Sequence, residues 1–96
     1  MGPSLSQTTN SFIITCDCAD TPAFAKEAAN ILGLEYSQVI LKKDLPVFVQ
    51  KYEGTDFGAY LKSLIKNVDK FAYYFEIADG GEIVSLYDLQ KGVKVA

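Results

Sequence analysis

The chain has no histidine and no tryptophan, one methionine, three prolines and two cysteines. Each shortage closes off some chemistry. Without histidine there is no Ser-His-Asp or Cys-His machinery, and no imidazole ligand for a metal. All nine bases are lysine, so no arginine is present to clamp a phosphate or read a guanine with two parallel hydrogen bonds. Twelve acids outweigh those nine bases, for a formal charge of −3. That balance argues against nucleic acid as a partner, because such binding runs on neutralising phosphates. No apolar run approaches the length of a membrane span, so no membrane partner is expected. Residues 1–11 lack the apolar core of a signal peptide, and a reducing cytoplasm is therefore the expected location.

The remaining composition is that of a folded domain. Of 96 residues, 49% are hydrophobic and 12% aromatic, too apolar and too weakly charged for intrinsic disorder. A chain of this length buries roughly 60–70% of its unfolded surface and can form one core without staples. Residues 1–10 read as a flexible leader, and residues 11–96 as a single domain.

The sharpest chemical feature is Cys16-Asp17-Cys18. Two cysteines without histidine cannot complete a zinc site, and Asp17 and Asp20 are poor substitutes, so no metal is expected. A disulfide between them would close a very short loop, a strained and reducible arrangement. The other reading is a pair of buried or half-buried free thiols at a strand end.

Hydrophobic periodicity sets out an α/β order. Phe12-Ile13-Ile14-Thr15 is a short β-rich run suited to a buried strand. Asp20 and Thr21 are N-cap candidates, Pro22 suits the first helical position, and Phe24, Ala28, Ile31 and Leu32 recur at helical spacing, so a helix is expected over 22–32. Gly33 suits its C-terminal stop. Tyr36–Leu41 reads as a second, parallel strand, completing a βαβ unit with a right-handed crossover. A short helix capped by Asp44 follows. Thr55 caps a clearer helix carrying Phe57, Tyr60, Leu61, Leu64, Ile65 and Val68, with Lys62, Lys66 and Lys70 facing away. Phe71–Ala78 and Glu82–Val84 read as a hairpin around Asp79-Gly80-Gly81. Ser85 can cap a last short helix through Leu86, Tyr87, Leu89 and Gln90. The order is β-α-β-α(α)-β-β-α, with a central mixed sheet of about four strands and helices on both faces.

That order, with Phe12–Thr15, Phe24–Tyr36 and Asp79–Gln90 as local strings, resembles the glutaredoxins of the thioredoxin-like fold over perhaps half the chain. Glutaredoxins carry C-x-x-C or C-x-x-S where the first strand meets the first helix. With one inserted residue, that position is Cys18-Ala19-Asp20-Thr21. The resemblance then implies Cys18 as nucleophile, Cys16 as resolving thiol, and Thr21 where the monothiol serine stands. It further implies glutathione as cofactor, Asp88 as a contact for its amino end, and Val84-Ser85 in place of the Gly-Gly pair that lets a substrate backbone approach. The partner would be a protein disulfide or a glutathione mixed disulfide. The chain departs from the pattern at Val68-Asp69-Lys70-Phe71-Ala72, which lacks the family's proline before the third strand, and residues 42–70 run longer than usual.

The residues around Cys18 do not favour a thiolate. Asp17 and Asp20 flank it, and the helix dipole fades within a turn. The second expectation is therefore a thioredoxin-like module that binds a protein partner and has lost the C-x-x-C and the cis-proline. In that reading the strand aromatics near Tyr74 or Tyr87 would contribute an exposed recognition patch.

Overall fold

Ile13 and Ile14 are fully buried, flanked by the nearly buried Phe12 and the fully buried Thr15. Four consecutive buried residues require a strand covered on both faces, and this run belongs to an interior strand of the sheet. A computed structural model of the protein describes residues 9–96. Its strands are β1 (Thr9–Thr15), β2 (Gln38–Leu41), β3 (Ala72–Ala78), β4 (Ile83–Asp88) and β5 (Val93–Lys94), and its α-helices are α1 (Thr21–Ile31), α2 (Leu45–Lys51) and α3 (Asp56–Ile65). The five strands form one mixed sheet in the order β2-β1-β3-β4-β5. β1 and β2 run parallel, with Ile13 opposite Val39, as the βαβ reading requires. β3 returns antiparallel to β1, and β4 antiparallel to β3.

Side-chain alternation divides the core between the two faces. On one face Phe12, Ile14, Cys16, Phe75 and Ile77 pack against Phe57, Leu61 and Leu64 of α3 and Leu45 of α2. Phe57 is at its centre, stacked on Phe12 and edge-on to Tyr52 and Phe75. On the other face Ile13, Ala72, Tyr74 and Leu89 receive Ala25 and Ala29 of α1. The molecule is thus a small α/β fold with helices on both faces of a mixed sheet.

Several expectations are corrected. Ser85–Gln90 is not a helix. Ser85 to Asp88 continue β4, and Val93–Lys94 add a fifth strand opposite Tyr87 and Asp88. The open edge of β3 offered that segment a ladder partner, and cross-strand pairing outweighs a four-residue helical spacing. On α1 the buried stripe is Thr21, Ala25 and Ala29, whereas Phe24, Ile31 and Leu32 are exposed. Small residues let the helix approach the sheet closely and push the bulky ones to its flank. α3 ends at Ile65, one turn earlier than the stripe suggested, so Val68 is outside it and 91% exposed. Tyr74 is buried rather than part of an exposed patch. β1 begins at Thr9, so Thr9 and Asn10 of the stretch read as leader pair with Ala78 and Ile77. Residues 1–8 lie outside the described residues. No helix among those described is long and apolar enough to cross a membrane.

Candidate functional site

β1 delivers the cysteines. Its alternation places Phe12, Ile14 and Cys16 on the α2–α3 face, and Cys16 is only 2% exposed within that core. The Cys16 N–H donates to the Phe71 carbonyl (3.2 Å), and the buried Thr15 hydroxyl donates to the same oxygen (2.9 Å). The last turn of β1 is thereby fixed to the segment that enters β3. Cys18 is half-buried and packs against the same core. The two residues are joined in a disulfide, with Cα atoms 5.2 Å apart. Of the two readings of the pair, the structure therefore has the bridge and not the free thiols. Because the closed loop holds a single intervening residue, chain entropy contributes only about 1.5 kcal/mol of stability, half of what a fifteen-residue loop would give.

The chain then turns into α1. The Thr21 N–H donates to the Cys18 carbonyl (3.2 Å), closing a tight turn over residues 18–21. Asp20 is the N-cap, yet its side chain caps nothing, and its backbone is left-handed at φ 63°. Thr21 is already inside the helix, with Pro following it, and its nearly buried hydroxyl donates to the Ala19 carbonyl (3.5 Å). The structure thus brings Thr21 beside the cysteines but directs its hydroxyl to the backbone. Cys18 stands three residues before the helix, where the dipole has largely faded.

Asp88 closes β4 at the same end of the sheet. It is opposite Tyr73, which is opposite Ile14, so it stands two strands, or about 10 Å, from β1. Its Oδ1 accepts the Gln90 and Lys91 N–H groups (3.0 and 3.2 Å), holding the turn into β5. Its charge also reaches the phenols of Tyr60 and Tyr73. Both are pushed above the ordinary tyrosine value, chiefly by desolvation on burial and then by neighbouring groups, Asp88 among them. Ser85 is placed differently. It is opposite Glu76, which is opposite Ser11, so it is five residues down the sheet from Cys16, about 17 Å away along the strand direction. The structure gathers Cys16, Cys18, Thr21 and Asp88 at one end and leaves Ser85 apart from them.

At the start of α1 is a recess of about 250 Å³ lined by Ala19, Asp20, Thr21, Phe24, Lys70 and Gln90, with neither cysteine in its lining. Sequence reasoning missed it, because it assigned Phe24 to the core and Lys70 to a solvated helix face. The paired signals were the Pro22 helix start and the position of Lys70 just before a strand. The backbone of Phe71 was also missed, because a carbonyl leaves no mark on a sequence pattern. No family model, no curated protein and no solved structure matches this chain.

Proposed function

We propose that this chain is a small glutaredoxin-like thiol–disulfide redox protein of the cytoplasm, with Cys16–Cys18 as its reversible centre. The observation that carries the reading is the bridge itself, a disulfide just past the carboxyl end of the interior strand β1, between one buried and one half-buried cysteine. A bridge that adds little stability has a weak claim as a staple, and in a reducing compartment such a bridge is ordinarily a transient, working one. The β2-β1-β3-β4 order, with α1 crossing between parallel strands, supports a thioredoxin-like assignment of the fold. The last helix of that pattern is replaced by β5.

An incoming thiolate attacks the Cys18 sulfur, because Cys16 is shielded by the core. The Cys16–Cys18 bond breaks as the bond to the incoming sulfur forms. Cys16 leaves with the electron pair and takes up a proton. A second thiolate then attacks the incoming sulfur in the mixed disulfide and releases Cys18. Two thiols are oxidised to one disulfide, and the protein becomes a dithiol. Glutathione is the thiol that the resemblance implies, with the free oxygen of Asp88 as its contact.

The test is equilibration of the folded protein with graded dithiol–disulfide buffers, read by alkylation and mass. A reversible two-electron transition above about −300 mV, together with turnover of a glutathione mixed disulfide that Cys18→Ser abolishes, is the expected result. A reduced Cys18 that titrates near about 8.5 or higher, with no such turnover, would sink the proposal. A second reading, a non-catalytic thioredoxin-like module binding a protein, draws on the hydroxyl of Thr21 and one oxygen of Asp88 being held internally. It requires Cys18→Ser to leave partner binding and cell function unchanged.

A further inference from the structure

We propose that the groove between α3 and the β4–β5 edge of the sheet binds a small amphipathic amine, an apolar body ending in an ammonium group. Neither cysteine lines this groove, so the site stands independently of the redox reading. α3 builds one wall. Asp56, Ala59, Tyr60 and Ser63 recur at the three- and four-residue spacing that places side chains on one helix face, and all four line the groove. The sheet supplies the floor through Ile83 and Leu86, with Val95 beside them. Ile83 and Leu86 are three residues apart, which in a regular strand sets side chains on opposite faces. A register shift at Glu76/Ile77 removes that conflict, because Ile83 is opposite Ile77 and Leu86 opposite Phe75. Both therefore belong to the α3 face, where they join the Phe57 core. Irregularities of this kind re-aim strand side chains and are frequent beside functional sites. The Val95 N–H donates to the Leu86 carbonyl (2.7 Å), which fixes Val95 at the outer rim.

Size, polarity and charge together define the occupant. The groove encloses about 600 Å³, within the roughly 300–1,000 Å³ of small-molecule sites, whereas the recess at the start of α1 has about 250 Å³. Its lining is mostly apolar, and Val95 is left 53% exposed, surface that a bound apolar body removes from water. Asp56 brings a carboxylate to the lining, and no lysine is part of it. The Tyr60 phenol is pushed above its ordinary value, chiefly by burial and then by Asp88, so it remains a neutral hydroxyl. The Ser63 hydroxyl donates to the Tyr60 carbonyl (2.6 Å), and its oxygen can still accept. Asp56 and Ser63 are seven residues apart on α3, or about 10 Å along its axis at about 1.5 Å per residue. A phenyl ring on a butyl chain with a terminal ammonium spans that distance, its charge at Asp56 and its ring over Leu86 and Val95. An anion of the same shape meets Asp56 with the wrong sign.

The experiment titrates the oxidised full-length chain with phenylbutylamine, phenylbutanol and phenylbutyrate, and follows the backbone amides by nuclear magnetic resonance. Shifts are expected at the residues of the groove. Unit charges about 4 Å apart in water change an equilibrium by about fivefold, so the amine should bind about fivefold tighter than the alcohol, and the carboxylate about fivefold weaker. High salt should narrow both differences. Asp56→Asn should bring the amine to the level of the alcohol while leaving the alcohol unchanged. Ala59→Phe, at an exposed position of α3, should fill the groove and abolish the shifts with all three ligands. Val95→Ser, also exposed, should weaken all three alike. Shifts that are absent, or scattered away from the groove, overturn the site, and so does binding that survives Ala59→Phe and Val95→Ser. A carboxylate that binds as tightly as the amine, or an amine preference that survives Asp56→Asn, overturns the ligand class.

Discussion

At the scale of single residues, the stretch from Cys16 to Thr21 combines one local cost with several satisfied bonds. Asp20 is the non-glycine residue with a positive φ among those described, and it forms no side-chain cap that would repay the conformation. Glycine adopts this backbone without a Cβ penalty, whereas an L-residue in it is strained. Asp20→Gly is therefore expected to raise stability by about 0.5–1 kcal/mol, although glycine is the more flexible residue when unfolded. Chemical denaturation of the oxidised protein checks this, and a loss of stability would mean that the aspartate supports the turn in another way. The cysteines themselves were legible as the chemical feature, and Asp20 as the helix boundary. The bond between the cysteines was not, because a C-x-C spacing permits a bridge or two thiols equally. Only the local path, with Cys16 held by Phe71 and Cys18 turned back over residues 18–21, decides between them.

At the scale of elements, α3 shows how a helix and a hairpin are joined through small residues. The Thr55 hydroxyl accepts the Gly58 N–H (3.1 Å) and donates to the Tyr52 carbonyl (2.6 Å), and the Phe57 N–H donates to the Gly81 carbonyl in the β3–β4 turn (3.1 Å). A Cβ on Gly58 would collide with the Tyr52 carbonyl oxygen, which is backbone and cannot swing away. Gly58→Ala is expected to destabilise by about 1–3 kcal/mol despite the higher helix propensity of alanine. Thr55→Ala should cost about 1–2 kcal/mol through the lost cap. Thermal melts of both variants measure these losses, and an alanine at 58 that stabilises would show that α2 can shift away. Thr55 was readable as a cap because a hydroxyl before an apolar stripe is a local signal. Gly58 carried no such signal, since the carbonyl that excludes a side chain belongs to Tyr52, the residue that caps the end of α2. The same contrast explains the ends of the chain's elements. The βαβ unit followed from continuous apolar runs, whereas Ser85–Asp88 became strand because β3 was available beside it, which no short sequence window contains.

At the scale of the whole molecule, Tyr60 of α3, Tyr73 of β3 and Asp88 of β4 bring three elements together on the face shared with the cysteines. The rings of Tyr60 and Tyr73 meet edge-on with centroids 6.0 Å apart. Burial first, and then for Tyr60 the Asp88 charge, raises its phenol; for Tyr73 burial is followed by Tyr60 and then by Asp88. A phenol whose folded pKa exceeds its unfolded value of about 10 holds its proton more tightly in the native state. Its contribution to stability is therefore complete below about pH 10 and is lost as pH rises through the folded value. The protein should consequently lose stability in alkali as these phenols ionise, while neutral solutions leave the contribution intact. Asp88→Asn removes the charge and keeps an oxygen that can accept the Gln90 and Lys91 N–H groups, so it should lower the phenolate titration of Tyr60 and Tyr73 without opening the turn. Near-ultraviolet phenolate absorbance against pH, compared with Tyr60→Phe and Tyr73→Phe, assigns the shift to these rings. An unchanged titration in Asp88→Asn would leave desolvation as the cause for Tyr60, and desolvation with the neighbouring Tyr60 as the cause for Tyr73. Asp88 would then act on this face through the turn it holds rather than through its charge.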